Sequence, residues 1–286
     1  MKIGYLGPGK SSFGFAATEI FFGKQKEAEF ISCANHTEIC RMAGIGEINY
    51  GVVAVENVID GVVAETIHAI DHFRRSSRLW IFGEVELPIE LFLFRKNNDG
   101  ATLTKIVGHK TALGQCSKRV NAFLGANSGI RQEIVDSNSK AAEEASKDSS
   151  AIAISTARAE QEYGLIRLEP NSITNNPNSF TRFWVIGTTE AKPSPKDKTC
   201  LLVNLNQDAP GGLCGVLAPF SSRGINLLII APIPIHGRKW EYSFLVEFSG
   251  SFTDQIMQDA YGDLCESGVA MGGPLLLGSY PAGTTK

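Results

Sequence analysis

The residues in this chain best suited to nucleophilic or metal chemistry are six cysteines (Cys33, Cys40, Cys116, Cys200, Cys214 and Cys265) and five histidines. No two cysteines form a CxxC pair, and no cysteine–histidine set has metal-ligand spacing. Buried, reduced thiols are the simplest reading, and no metal site is expected. A catalytic cysteine would need a histidine partner, and none of the five histidines sits in a signature context for that chemistry. Other polar groups fall at the ends of apolar runs. Thr181-Arg182 opens one such run with a hydroxyl and a guanidinium fork of the kind that suits a carboxylate. Taken alone, Thr181–Ile186 is a strand with alternating side chains. Ser137 follows the run Ile130–Val135 and could meet a carboxylate or act as a plain helix N-cap. Asn57 and Gly61 close the segment ENVIDG. A helix start there would offer backbone N–H groups and an amide as an anion cradle, and a capped helix with an ordinary Asp60-Gly61 turn is the alternative.

The elements that must carry these groups follow from the apolar pattern. Lys2–Leu6, Ala28–Ile31 and Tyr50–Val55 read as strands, alternating with helices over Phe13–Phe22 and after an Asn35 cap. Leu79–Leu93 is long and β-rich but interrupted at Pro88, as expected of a chain crossing between two lobes. Strands at Lys105–Val107, Ile130–Val135 and Ala151–Ile154 then alternate with helices at Ala112–Phe123, Ser139–Ser146 and Thr156–Tyr163, and Thr181–Ile186 returns. This predicts an α/β fold of two lobes with a cleft at the carboxyl ends of the strands. After the charged, proline-bearing linker Glu190–Lys198, the order changes to βαββαβ, the ferredoxin-like arrangement.

Length and composition agree. The 286 residues suffice for about two domains, and 43% hydrophobic with 20% charged residues excludes disordered, collagen-like and coiled-coil classes. A net charge of −3 gives no electrostatic case for nucleic acid or an anionic membrane. The N-terminus has no signal-peptide pattern, and no apolar run reaches the ~18–20 residues of a membrane helix. A cytoplasmic protein is expected.

Five segments appear in the order found in prephenate dehydratases: GYLGPGKSSFGFAA (4–17), YGVVAVENVIDG (50–61), ELPIELFLF (86–94), HKTALGQC (109–116) and FTRFWVIG (180–187). Two more, NQDAPGGLCGVLAPFSSRGINL (206–227) and LLLGSYP (275–281), resemble the ACT regulatory domain that usually follows. The resemblance implies a two-lobed, periplasmic-binding-protein-like catalytic domain over 1–189. Its first lobe would span about 1–80 and 168–189 and its second about 81–167, with an ACT domain over 198–286. It implies a lyase that converts prephenate to phenylpyruvate, water and carbon dioxide without a cofactor. It assigns catalysis to Thr181, Arg182 and Phe183, and substrate contacts to Ser12, Asn57, Gly61, His109, Gln115 and Ser137. The two lobes are expected to hinge near Leu79–Glu86 and Leu168–Phe180.

The chain departs from the family pattern at Ala54, Val58, Lys110, Thr111 and Asn138. Val58 replaces a hydroxyl expected to face the cleft. In the ACT segment, phenylalanine would be held near Asn206, Gly211, Gly212 and Leu213. However, Ala231, Pro232 and Ile233 stand where the family carries Glu, Ser and Arg, so a weak response or none is expected. A homodimer or homotetramer through the ACT domains is expected, because the ACT sheet has one face to cover. Two other readings stay open at this point. One is a repurposed protein that binds or senses a small acid, and the other is a prephenate decarboxylase that does not aromatise the ring.

Overall fold

The computed structural model describes residues 1–97, 100–206 and 209–283. The first lobe opens with β1 (Lys2–Leu6), α1 (Phe13–Phe22), β2 (Glu29–Cys33), α2 (His36–Gly44), β3 (Tyr50–Asn57), β4 (Gly61–Val62), α3 (Ala64–Ser76) and β5 (Trp80–Pro88). The second lobe contains β6 (Phe92–Arg95), β7 (Lys105–His109), α4 (Lys110–Gln115), α5 (Ser117–Ala126), β8 (Arg131–Val135), α6 (Asn138–Lys147), β9 (Ala151–Ser155), α7 (Ala159–Tyr163) and β10 (Ile166–Arg167). The chain returns through β11 (Phe180–Gly187). The C-terminal unit is β12 (Asp197–Asn204), α8 (Gly212–Ser221), β13 (Leu227–Pro234), β14 (Tyr242–Ser249), α9 (Gln255–Glu266) and β15 (Leu275–Pro281).

Three sheets result, and the α/β expectation holds. The first runs β2-β1-β3-β11-β5 with β4 paired to β3, the second β10-β6-β9-β7-β8, and the third β13-β14-β12-β15. The third has the ferredoxin-like order expected from βαββαβ. Strand β11 runs antiparallel to both β3 and β5, so the returning strand locks into the middle of the first sheet. The crossover expected near residue 80 lies later. All of β5 pairs with β11, so the first lobe extends to Pro88. The chain then changes sheets within three residues, where Ile89 N–H donates to the Ser179 carbonyl at 2.7 Å. The outgoing and returning segments therefore lie side by side where they pass between the lobes, at Ile89 and Ser179. The helix expected over Ala112–Phe123 is two helices that meet at Cys116, whose backbone leaves the helical region (φ −111°, ψ 14°).

Four cysteines are buried as expected, but Cys214 and Cys265 are exposed. Burial pushes the Cys40 and Cys116 thiols up to about 12, which removes them as nucleophiles.

The first sheet is buried on both faces, which explains the near-continuous apolar runs of its strands. One face packs Val52, Val85, Phe183 and Val185 against Ala17 and Phe22 of α1. The other packs Ile39, Ile67, Ile70, Ile81 and Trp184 in one cluster with Cys200, Leu202, Leu245, Leu277 and Tyr280 of the third sheet. The third sheet therefore has α8 and α9 on one face and the first lobe on the other. The face expected to need a second subunit is already covered within the chain.

The sheets approach closely where β15 crosses β5. A Cβ on Gly278 would lie 2.6 Å from the Ile81 carbonyl oxygen and 3.1 Å from its nitrogen, both backbone atoms that cannot step aside. Gly278→Ala should therefore lower the stability of the whole chain by about 1–3 kcal/mol. Chemical denaturation checks this, and an unchanged midpoint would mean that the two units separate freely.

Candidate active site

A cleft of about 770 Å³ lies between the first and second lobes. Its walls are the loops at the carboxyl ends of β1, β2, β7 and β8, together with Ala54 of β3 and Thr181 and Phe183 of β11. This is the position expected for a small ligand on parallel α/β strands. Of the sequence-derived residues, Ser12, His109, Ser137, Thr181 and Phe183 line it.

Thr181 is buried, and its hydroxyl oxygen accepts a 2.8 Å hydrogen bond from the Asn57 amide nitrogen. That direction is fixed from behind. The Asn57 carbonyl oxygen accepts from the N–H groups of Ile59 at 2.8 Å and Asp60 at 3.2 Å, so the amide nitrogen must face the threonine. A hydroxyl that already accepts from an amide keeps its own proton free to donate into the cleft. Asn57 itself does not line the cleft. The expected anion cradle is corrected here, because ENVIDG forms a hairpin turn rather than a helix start. Asn57 pairs with Gly61 and Glu56 with Val62, and the turn N–H groups are spent on Asn57. Gly61 is exposed, with φ +78° and open space where a Cβ would project, so it shapes the turn and touches no ligand site.

Ser12 and Ser137 are N-caps. Their hydroxyls accept from Phe15 N–H at 3.1 Å and Lys140 N–H at 3.0 Å, at the starts of α1 and α6. His109 precedes α4 in the same way, without a side-chain capping bond. Helices from both lobes thus present their N-termini to one cavity, where free N–H groups and the helix dipoles favour negative charge. Gln115 is not among the lining residues. Its carbonyl accepts from Asn175 N–H at 2.7 Å, tying α4 to the return segment. Of the five departures, only Ala54 and Asn138 reach the cleft. Lys110 and Thr111 are exposed. Val58 is 63% exposed in the hairpin turn, so it removes no hydroxyl from the cavity.

Arg182 requires the largest correction. Strand alternation puts Thr181 and Phe183 on the cleft face and turns Arg182 to the other face. There Nη1 donates to both Glu247 carboxylate oxygens at 2.8 and 3.0 Å and to Glu84 at 3.3 Å. Burial alone would pull this guanidinium down, but Glu247, Tyr280 and Glu84 outweigh it and hold the group above its ordinary range. Its fork is occupied by protein carboxylates and does not open on the cleft.

Several lining residues were not read as site residues in the sequence: Ser32 and Cys33 at the end of β2, His36 just after it, and Asp136 after β8. The rule that ligands sit beyond the carboxyl ends of parallel strands would have pointed to both loops. His36 is 93% buried by its 7% exposure, and its Nδ1 has no hydrogen-bond partner. Burial lowers its pKa below the usual 6.5, only partly countered by Glu65. It is neutral at neutral pH.

The scaffold is that of a two-lobed α/β protein with helix N-termini and a threonine hydroxyl at one cleft, a class suited to a small ligand held between lobes. The family model described as prephenate dehydratase matches residues 3–191. The bifunctional chorismate mutase/prephenate dehydratase of Aquifex aeolicus is 34% identical over 281 residues, covering 98% of this chain and 74% of the relative. The prephenate dehydratase of Bacillus subtilis is 29% identical, with 98% of both chains covered. The crystal structure of the Arthrobacter aurescens prephenate dehydratase in complex with L-Phe is 28% identical and superposes with a TM-score of 0.83, covering 98% of this chain and 90% of that one. The chain belongs to the prephenate dehydratase family.

His36 gives the cleft a pH signature. Because its folded pKa is depressed, the unfolded chain takes up the proton first as pH falls. Its contribution is intact above the unfolded pKa of about 6.5 and is lost as pH drops through the folded value. The melting temperature should therefore fall more steeply between pH 7 and 5 in the wild type than in His36→Gln. Parallel slopes would show that the imidazole is not desolvated.

Proposed function

We propose that this chain converts prephenate to phenylpyruvate, and that Thr181 is the donor to the departing oxygen. The observation that carries the proposal is the hydrogen bond from the Asn57 amide to the Thr181 hydroxyl, which leaves the hydroxyl proton free for another acceptor. In the reaction, the electron pair of the ring carbon–carboxylate bond enters the ring as carbon dioxide leaves. The C4–O bond breaks with its electrons on oxygen, and the ring becomes aromatic. The departing hydroxide, hydrogen-bonded by Thr181, takes up a proton from solvent and ends as water. Aromatisation supplies the driving force, so the protein needs only to hold the dianion in one orientation and stabilise charge growing on the leaving oxygen. In our reading the N-termini of α1 and α6 receive the carboxylates, Ser12, Ser137 and Asn138 orient them, and Phe183 packs against the ring.

With Arg182 facing away, the donor role falls to the threonine in this reading. Thr181→Ala should lower kcat by ~10²–10³-fold with the fold intact, and Thr181→Ser should keep most of it. Asn57→Asp, which replaces the amide donor by an acceptor, should turn the hydroxyl proton back on the aspartate and cost a similar factor. The ultraviolet absorption of phenylpyruvate measures each rate. Near-normal turnover in both Thr181→Ala and Asn57→Asp would move the role elsewhere.

We further assign residues 198–286 to an ACT unit and the catalytic unit to 1–189, and read the protein as a cytoplasmic homo-oligomer. No described helix is long and apolar enough to cross a membrane. The support for assembly is the edge strand β13, where Leu228 and Ile230 are 41% and 40% exposed. An exposed apolar edge strand is a pairing surface. Phenylalanine is the candidate effector, since the Arthrobacter relative was crystallised with it. Around α8 the described residues offer mainly backbone: Gly211 precedes the helix at φ +86°, and Asn206 bonds back to Gly268 and Val269. Gln207 and Asp208 of the same motif lie outside the described residues. Ala231, Pro232 and Ile233 carry no side-chain donor, which supports a weak response. Leu228→Lys with Ile230→Lys should convert the oligomer to a monomer in light scattering, and a monomeric wild type would remove this part of the proposal.

A further inference from the structure

The face of β11 away from the cleft holds a closed set of charges. Arg182 comes from β11 and Glu84 from β5, while Lys198, Glu247 and Tyr280 come from β12, β14 and β15 of the C-terminal unit. Besides the contacts of Arg182 with Glu247 and Glu84, its Nη2 lies 3.2 Å from Glu56. Lys198 Nζ lies 2.6 Å from Glu84 and 3.7 Å from Glu247, and the Tyr280 hydroxyl donates to Glu247 at 2.6 Å. The side chains of Glu84 and Glu247 are 0% and 1% exposed. Two cations thus balance two fully buried carboxylates, with Glu56 at the rim.

Buried ion pairs are a weak source of stability, because desolvation offsets much of the attraction, and their better-attested use is to fix one geometry. The geometry at stake here is local. The register between β11 and β3 shifts between Arg182 and Phe183, one residue beyond Thr181. At such a bulge the main-chain ladder is interrupted and side chains are re-aimed. The extra residue is Val55 of β3, because Arg182 pairs with Glu56 and Phe183 with Ala54. Arg182 is the β11 residue beside it, and its shortest hydrogen bonds go to Glu247.

We infer that Glu247 is a positioning residue for the reaction: a carboxylate of the C-terminal unit that holds Arg182, and through it the bulge, so that the Thr181 hydroxyl points into the cleft. The inference rests on the role given to Thr181 above. Glu247→Gln is near-isosteric and removes the charge. It should lower kcat about tenfold or more while KM stays within about twofold, because the groups that hold the substrate are untouched. Glu247→Asp, which keeps the charge, should recover part of kcat. Tyr280→Phe takes one hydrogen bond from Glu247 without changing packing volume, and should lower kcat by about 2–5-fold at unchanged KM. A purely structural role would reduce the folded fraction, read by circular dichroism, and leave kcat per folded enzyme alone. That result in Glu247→Gln would overturn the inference. If Glu247→Gln does not fold, wild-type kcat in Tyr280→Phe would overturn it instead. If the wild type makes no phenylpyruvate, the functional reading fails, and hydrogen exchange decides the coupling separately. In Glu247→Gln, or in Tyr280→Phe if the former does not fold, amides of 180–187 should exchange faster while those of 105–109 and 131–135 do not change. Unchanged exchange over 180–187 would overturn the coupling.

Discussion

The structure turns on a guanidinium held between carboxylates from two different folding units. Arg182 has left water, and its charge is tolerable there only because Glu247 and Glu84 left water with it. Removing either partner would strand the other as an unpaired buried charge, a situation that typically costs about 3–5 kcal/mol. The third sheet is therefore committed to one docking position on the first lobe. Apolar burial supplies the attraction, through Leu202, Leu245 and Leu277 against Ile81 and Trp184, but it is non-directional. The charges supply the register.

The same strand solves a second problem on its opposite face. A threonine hydroxyl is a poor acid, and its usefulness depends on where its proton points. Three bonds in series determine that: two turn N–H groups hold the Asn57 oxygen, and the Asn57 nitrogen holds the Thr181 oxygen. Hairpin geometry is thereby converted into hydroxyl orientation. Adjacent residues of one strand serve docking on one side and chemistry on the other, because β alternation separates them.

Much of this was legible in the residues. The alternation of apolar runs with helical patterns placed most strands within a few residues, and Pro88 marked the passage between lobes. The switch to βαββαβ after Glu190–Lys198 gave the third sheet. Caps at Asn35 and Ser137 were readable because each is a polar residue directly ahead of a helical pattern. The failures share a cause. The direction of Arg182, the exposure of Val58 and the covered face of the third sheet all depend on which units pack together, and one-dimensional spacing carries no information about that. ENVIDG was misread because a short hairpin and a helix start use the same Asn, Asp and Gly residues. His36 was missed because a single histidine on a helix looks like any other until its neighbours bury it.

The hydrogen bond between Ile89 and Ser179 has a mechanical meaning. Two connecting strands that run separately can bend independently, which lets the lobes slide, tilt or twist. Here the crossings are tied together at Ile89 and Ser179, and again where Ile173 N–H donates to the Leu91 carbonyl at 2.8 Å. Neither crossing can bend without carrying the other.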